Sequence, residues 1–130
     1  PARTFRAALF GNNAFVFRAV ADAEDEDRKI QVIGYAISHD SFSTDDGQRG
    51  MYLADLFVEE AWRREGAGRA LIEAVSKRAR QRGATHLWWT SLSQNYQARR
   101  FYKRLGATDH PVHAHAIDGP AFDRFSSKRR

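Results

Sequence analysis

The spacing of hydrophobic positions changes several times along this chain, and the changes mark its elements. Residues 14–21 are rich in Phe and Val and predict a strand. Residues 30–38, Ile-Gln-Val-Ile-Gly-Tyr-Ala-Ile-Ser, predict its antiparallel partner, with the acidic stretch 22–27 as a solvated hairpin loop between them. Residues 41–50 are polar, contain Asp-Asp-Gly and read as a loop; residues 51–58, Met-Tyr-Leu-Ala-Asp-Leu-Phe-Val, are the next strand. The period then lengthens. Ala67, Ala70, Leu71, Ala74, Val75 and Ala79 share one face of a helix over 67–82, Glu73 and Lys77 pair one turn apart on another, and Gly83 is the stop. Residues 85–92 alternate little, as a strand near the centre of a sheet does. A second helix over 95–105 stops at Gly106. At the ends, residues 4–10 predict a short helix closed by Gly11. Residues 112–117 and 121–125 predict two short strands joined through Asp118-Gly119-Pro120, and residues 126–130 a frayed basic tail. The order β-β-β-α-β-α-β-β describes a mixed α/β sheet with helices on its faces, in a single domain over 1–130.

Composition narrows the possibilities. A chain of 130 residues, 42% apolar, can build one core. With no cysteine, a disulfide framework, thiolate metal ligands and a catalytic thiol are excluded. No apolar run approaches the roughly 20 residues that span a bilayer, and nothing resembles a signal peptide, so a cytoplasmic protein without a membrane partner is expected. The chain begins at Pro1 rather than methionine, consistent with further residues upstream.

The net charge of +5 is uneven: between Arg63 and Arg104 stand eleven Arg and Lys against two acids, Glu65 and Glu73. This excess surrounds the stretch Arg63-Arg64-Glu65-Gly66-Ala67-Gly68-Arg69, which lies between the third predicted strand and the first long helix. A strand, a glycine-containing turn and a helix start form a place to hold phosphate. The first helical N–H groups lack partners within the helix, the helix dipole is positive there, and glycine keeps side chains away. Most of these arginines nonetheless read as a solvated helix face.

Two motifs in this order and separation resemble the Gcn5-related N-acetyltransferase (GNAT) superfamily. Arg63, Gly66 and Gly68 match its phosphate motif, Arg or Gln, two residues, Gly, one residue, Gly or Ala. The segment Asn95-Tyr-Gln-Ala-Arg-Arg-Phe-Tyr-Lys-Arg-Leu-Gly-Ala107 matches its second conserved helix. The resemblance covers about residues 14–125 and is nearest to the diamine and polyamine acetyltransferase-like branch. Two departures stand out. The family's first strand and helical segment are expected to be shortened or missing here, and Ala54 stands where that branch often has Glu.

The resemblance implies an acyltransferase that moves acetyl from acetyl-CoA to a primary amine by direct attack in a ternary complex. The pyrophosphate would sit on the backbone of Arg64, Glu65, Gly66, Ala67, Gly68 and Arg69, behind Arg63. Leu56, Phe57 and Val58 would pair with the pantetheine arm, and the N–H of Phe57 or Val58 would polarise the thioester carbonyl. Asn95 would cap its helix and meet the pantetheine amide, with Ala98 and Phe101 beside the cofactor. Tyr102 is the candidate general acid for the departing thiolate: phenol and thiol pKa values of about 10 and 8.5 allow at least a hydrogen bond. Asp55 is the candidate base, and an equally good structural carboxylate.

His113 and His115 share a face if 112–117 is a strand, but no third ligand accompanies them, and no metal is expected. A pI near 10 and Trp88-Trp89 raise nucleic-acid binding, yet tryptophans in an apolar strand argue against a stacking platform. The alternative on the same fold is a catalytically weak CoA-binding module. A homodimer is expected, since an unfinished first strand leaves a sheet edge to cover. The acceptor amine is not legible.

Overall fold

A computed structural model of the chain describes residues 5–10 and 16–127. Five strands form one sheet in sequence order: β1 (Arg6–Phe10), β2 (Val16–Glu24), β3 (Ile30–Ser43), β4 (Gln48–Val58) and β5 (Leu87–Trp88). The first four are antiparallel, and β5 runs parallel to β4. A 3-10 turn, Glu60–Trp62, and helix α1 (Ala67–Gln81) connect β4 to β5. The chain divides into two compact units, Pro1–Gln94 and Asn95–Arg130. The second holds helices α2 (Tyr96–Arg104) and α3 (Gly119–Ser126).

The core of the first unit lies between α1 and one face of the sheet. Strand β2 supplies Phe17, Ala19, Ala21 and Ala23 at alternate positions, and β3 and β4 add Ile33, Ala36, Met51 and Leu53. Helix α1 answers with Ala67, Leu71, Val75 and Ala79, spaced by single turns. Alanines on the sheet let the helix approach closely, so the larger volume comes from Ile33, Met51, Leu71 and Val75, all fully buried. At the other end of α1, Arg78 and Arg82 lie over the Phe17 ring at 5.1 and 4.5 Å. Arg82 also donates through Nε to Asp40 at 2.8 Å, tying the helix end to β3.

Several expectations are revised. Residue 4 lies outside the described residues, and residues 6–10 are a strand, not a helix: they pair with β2, where Arg6 meets Asp22 at 2.8 Å. Long-range pairing here overrides local preference. The β2 strand starts at Val16, residues 14 and 15 lying outside the described residues, and it runs on through the acidic Asp22 and Glu24. Strands β3 and β4 extend well into the expected loop 41–50, leaving residues 44–47 as a turn. Of residues 85–92 only Leu87 and Trp88 join the ladder. Glu73 pairs with Arg69 at 3.6 Å rather than with Lys77.

The expected strand 121–125 is helix α3: Asp118 stands at the N-cap with proline in the first turn, a helix-start signal that resembles a hairpin turn. Residues 112–117 are exposed and in no strand, which removes the reason for placing His113 and His115 on one face. Trp88 and Trp89 lie in different surroundings. Trp89 packs on the core, while Trp88 is 47% exposed and donates its indole N–H to Ser41 Oγ at 2.9 Å.

Candidate functional site

The turn between β4 and α1 is built by its backbone. Trp62 is buried and anchors the 3-10 turn. Arg63 donates its Nε to the Val58 carbonyl at 2.9 Å, so its side chain closes the loop onto the strand end. Arg64 then adopts φ 65° and Gly66 φ 93°. A positive φ at a non-glycine residue costs on the order of 1 kcal/mol and persists where surroundings impose it. Such left-handed residues curl the backbone so that successive N–H groups converge on one concavity. Gly66 is the N-cap of α1 and places no side-chain cap on it. At this end of the helix the Ala70 N–H donates to the Gly66 carbonyl at 3.0 Å. Ala67, Gly68 and Arg69 therefore precede the helical ladder, with the positive end of the dipole behind them. This donor set suits a pyrophosphate, and the fit owes little to arginine side chains.

Next to this turn the sheet opens. β4 pairs with β5 only through Met51↔Leu87 and Tyr52↔Trp88, and its last six residues, Leu53 to Val58, run beyond that pairing. On the other side β4 stays paired with β3, but with a bulge: Ile37↔Asp55 is followed by Ser38↔Leu53, leaving Ala54 without an opposite number. Both Leu53 and Leu56 pack toward α1 although three positions apart, so the bulge breaks the alternation and redirects the strand. Gly34 makes the approach possible. A Cβ there would sit 2.7 Å from the Phe57 carbonyl oxygen and 3.3 Å from Val58 Cα. Leu56, Phe57 and Val58 thus form a strand segment held on one edge and open on the other, a geometry that admits an extended ligand as an added strand.

The face of the sheet opposite α1 carries an aromatic and polar row. Tyr35 lies opposite Phe57 in register, with ring centroids 5.7 Å apart. The Tyr35 hydroxyl donates to Asp55 Oδ2 at 3.0 Å. That hydrogen bond, helped by the carboxylate's charge, raises the phenol above its ordinary value, so Tyr35 stays a donor. Further along, His39 faces Tyr52 at 5.3 Å and Tyr52 faces Trp88 at 4.5 Å. His86 packs against Gly50, where a Cβ would meet its ring at 2.5 Å, and is a structural residue.

In the second unit, Asn95 caps α2 by accepting the Ala98 N–H at 3.3 Å, as expected of it. Phe101 and Tyr102 have ring centroids 5.6 Å apart, and the Tyr102 carbonyl accepts the Ala107 N–H at 3.1 Å, closing the helix at Gly106, φ 90°. Arg99 donates to Asp109 at 2.8 Å and holds that carboxyl below the usual range.

The first unit thus gathers Asp55, Leu56, Phe57, Val58 and the turn from Arg63 to Arg69; the second gathers Asn95, Ala98, Phe101 and Tyr102 on α2. Sequence reasoning missed Tyr35 and Gly34. Both lie on an evident strand, but their importance depends on the register against β4.

A family model described as the acetyltransferase (GNAT) family matches residues 2–107. A thialysine N-epsilon-acetyltransferase of Bos taurus is 36% identical over 107 residues, 80% of this chain and 62% of that protein. An L-ornithine N5-acetyltransferase of Arabidopsis thaliana is 30% identical over 93 residues, 65% of this chain and 41% of the relative. The chain therefore spans about three-fifths of the length of the first and two-fifths of the second. Among solved structures, an integron cassette protein from the mobile metagenome of V. cholerae superposes with TM-score 0.75 at 26% identity, covering 92% of this chain and 71% of that one. Among the described residues, no helix is long and apolar enough to cross a membrane.

Proposed function

This chain belongs to the GNAT acetyltransferase family, and we propose that it transfers an acetyl group from acetyl-CoA to the primary amine of a small molecule or an exposed amino group, by direct attack in a ternary complex. The observation that carries this reading is the β4 edge: Leu56, Phe57 and Val58 run open past β5 and lead straight into the left-handed turn at Arg64 and Gly66. Acetyl-CoA supplies the activated thioester. The backbone from Arg64 to Arg69 holds its pyrophosphate, and the open strand edge pairs with its pantetheine arm. Ala98 and Phe101 are assigned to the cofactor side, and Asn95 to the pantetheine amide. Tyr102 is assigned the hydrogen bond, or the proton, for the departing sulfur; its position in the Asn95-to-Ala107 motif supports this. The relatives named for thialysine and ornithine direct the proposal toward the terminal side-chain amine of a small cationic amino acid.

Asp55 is the carboxylate of the open sheet region. An alkylammonium of pKa about 10.4 lies some 6.5 units above an ordinary aspartate, so outright deprotonation by Asp55 would cost about 9 kcal/mol. Its better role is to draw the ammonium in; one proton leaves through water so that the neutral amine attacks, and Asp55 takes the second once attack on the carbonyl has acidified the nitrogen. One N–C bond forms and one C–S bond breaks; of the two protons the ammonium nitrogen loses, one goes to water and the other balances the one gained by sulfur.

Thiol release tests the reading: purified protein, acetyl-CoA and a panel of diamines and basic amino acids, with CoA retention measured by native mass spectrometry. Absence of both thiol release and retention defeats it. Ala54, lacking a carboxylate at the bulge, favours a second reading, a catalytically weak CoA-binding module. That reading predicts CoA retention without turnover and no change of rate in Tyr102→Phe, whereas the enzyme reading predicts a fall in kcat of tenfold or more. A homodimer that covers a sheet edge and a cytoplasmic location complete the proposal; sedimentation measures the first.

A further inference from the structure

Tyr35 enters the site through register alone. It stands directly opposite Phe57 and diagonal to Asp55 on the neighbouring strand, within the reach of a long aromatic side chain. Its hydroxyl binds Asp55 Oδ2 at 3.0 Å across a sequence separation of 20. Among the described residues no hydrogen bond reaches the other carboxylate oxygen, Oδ1. Phe57, 42% exposed, lines the same face, its ring beside that of Tyr35. The bulge at Ala54 determines which β4 side chains share this face with Tyr35. The surrounding charges on that face are Arg18, whose partner Ile37 is also the partner of Asp55, and His39, two residues on from Ile37. The site therefore offers a fixed carboxylate with one oxygen unengaged, flanked by two ring surfaces. This combination suits an alkylammonium by charge, by hydrogen bonding and by the attraction of a cation to an aromatic face.

We propose that Tyr35 is a positioning residue: it orients the Asp55 carboxylate to receive the ammonium group of the acceptor, and the pair selects alkylammonium acceptors over neutral ones of the same shape. This deepens the acetyltransferase reading and rests on it for the acceptor's identity as an amine. The phenol is the donor and Oδ2 the acceptor, so Oδ1 is left for the ligand. Asp55 also lies two residues before Phe57, about 7 Å along the strand from the amide assigned to the thioester, a distance an aminoalkyl group spans.

The test is equilibrium binding of 1,4-diaminobutane, with 1,4-butanediol as the uncharged control, measured calorimetrically in the wild type, Tyr35→Phe, Asp55→Asn and the double variant. Tyr35→Phe keeps the ring and its packing. It should weaken the diamine by about three- to tenfold, leave the melting temperature and CoA affinity unchanged, and not affect the diol. Asp55→Asn should weaken the diamine further, and the double variant should match Asp55→Asn because the phenol then has no carboxylate to orient. Diamine affinity in Tyr35→Phe equal to wild type overturns the proposal. So does a double variant whose losses add, or a wild type that prefers the diol. A wild type that binds the diamine in this pattern yet releases no thiol from acetyl-CoA refutes the catalytic reading and leaves the role of Tyr35 supported.

Discussion

Replacing Gly34 by alanine tests the packing on which the site depends. The added Cβ would lie 2.7 Å from the Phe57 carbonyl oxygen, 3.3 Å from Val58 Cα and 3.3 Å from Val58 Cγ2. Comfortable carbon contacts begin near 3.5 Å, so β3 and β4 must separate by roughly half an ångström or more at this point. The obstacle is backbone on a paired strand, which cannot swing aside. Overpacking of this kind costs about 1–3 kcal/mol. Against a domain stability of order 5–15 kcal/mol that is a substantial fraction. With a urea dependence of about 2 kcal/mol per molar, the unfolding midpoint should fall by about 0.5–1.5 M. Gly50→Ala is the comparison. The three atoms its Cβ would meet first all belong to the His86 ring, the nearest at 2.5 Å, and a side chain can rotate away, so its loss should be clearly smaller. Because the displaced backbone is Phe57–Val58, Gly34→Ala should also weaken CoA binding, whereas Gly50→Ala should not. Urea unfolding followed by circular dichroism, with CoA titration calorimetry on the folded variants, measures both effects. A Gly34→Ala protein with the wild-type midpoint and wild-type CoA affinity would refute the reasoning, since the strand edge would then tolerate a shift it is argued to forbid.

Gly66→Ala places a Cβ at φ 93° with, among the described residues, only Phe5 nearby at 3.7 Å, so it should cost about 1 kcal/mol in stability and weaken CoA several-fold. Gly47→Ala, at φ 67° with nothing within 4 Å, carries similar strain and should leave CoA binding intact in the same titration. Leu71→Ala removes a fully buried side chain from the centre of the core and should destabilise by about 2–5 kcal/mol in urea unfolding. Asp40 is held below the usual carboxylate range, chiefly by its hydrogen bond from Arg82. The stability this contributes is complete above pH about 4 and disappears as pH falls through the lowered value. Both partners are substantially exposed, 35% and 46% at their side chains, so the contribution is below about 1 kcal/mol. Arg82→Ala should accordingly be less stable than wild type at pH 7, with the gap narrowing toward pH 2; a pH series of thermal melts reads it, and a gap that widens at low pH contradicts the assignment.

The parts of this protein that are local in the chain were legible in the sequence. Helix α1, its glycine stop and the turn before it follow from spacing and glycine placement, because helix ends and left-handed turns are determined within a few residues. The cap of α2 at Asn95 is of the same kind. Where a local signal admitted two meanings it misled: Asp118-Gly119-Pro120 opens a helix and was expected to join two strands. Residues 6–10 likewise became a strand only because β2 was there to pair with.

Everything requiring strand register was decided by the tertiary structure. Asp55 was a candidate from the resemblance and its place on the strand, but its partner Tyr35 lies 20 residues away and is chosen by the alignment of β3 with β4. Gly34 matters because that alignment brings it against Phe57. A strand shows which side chains share a face; only the pairing of strands, shifted here by the unpaired Ala54, says which of them meet across the sheet.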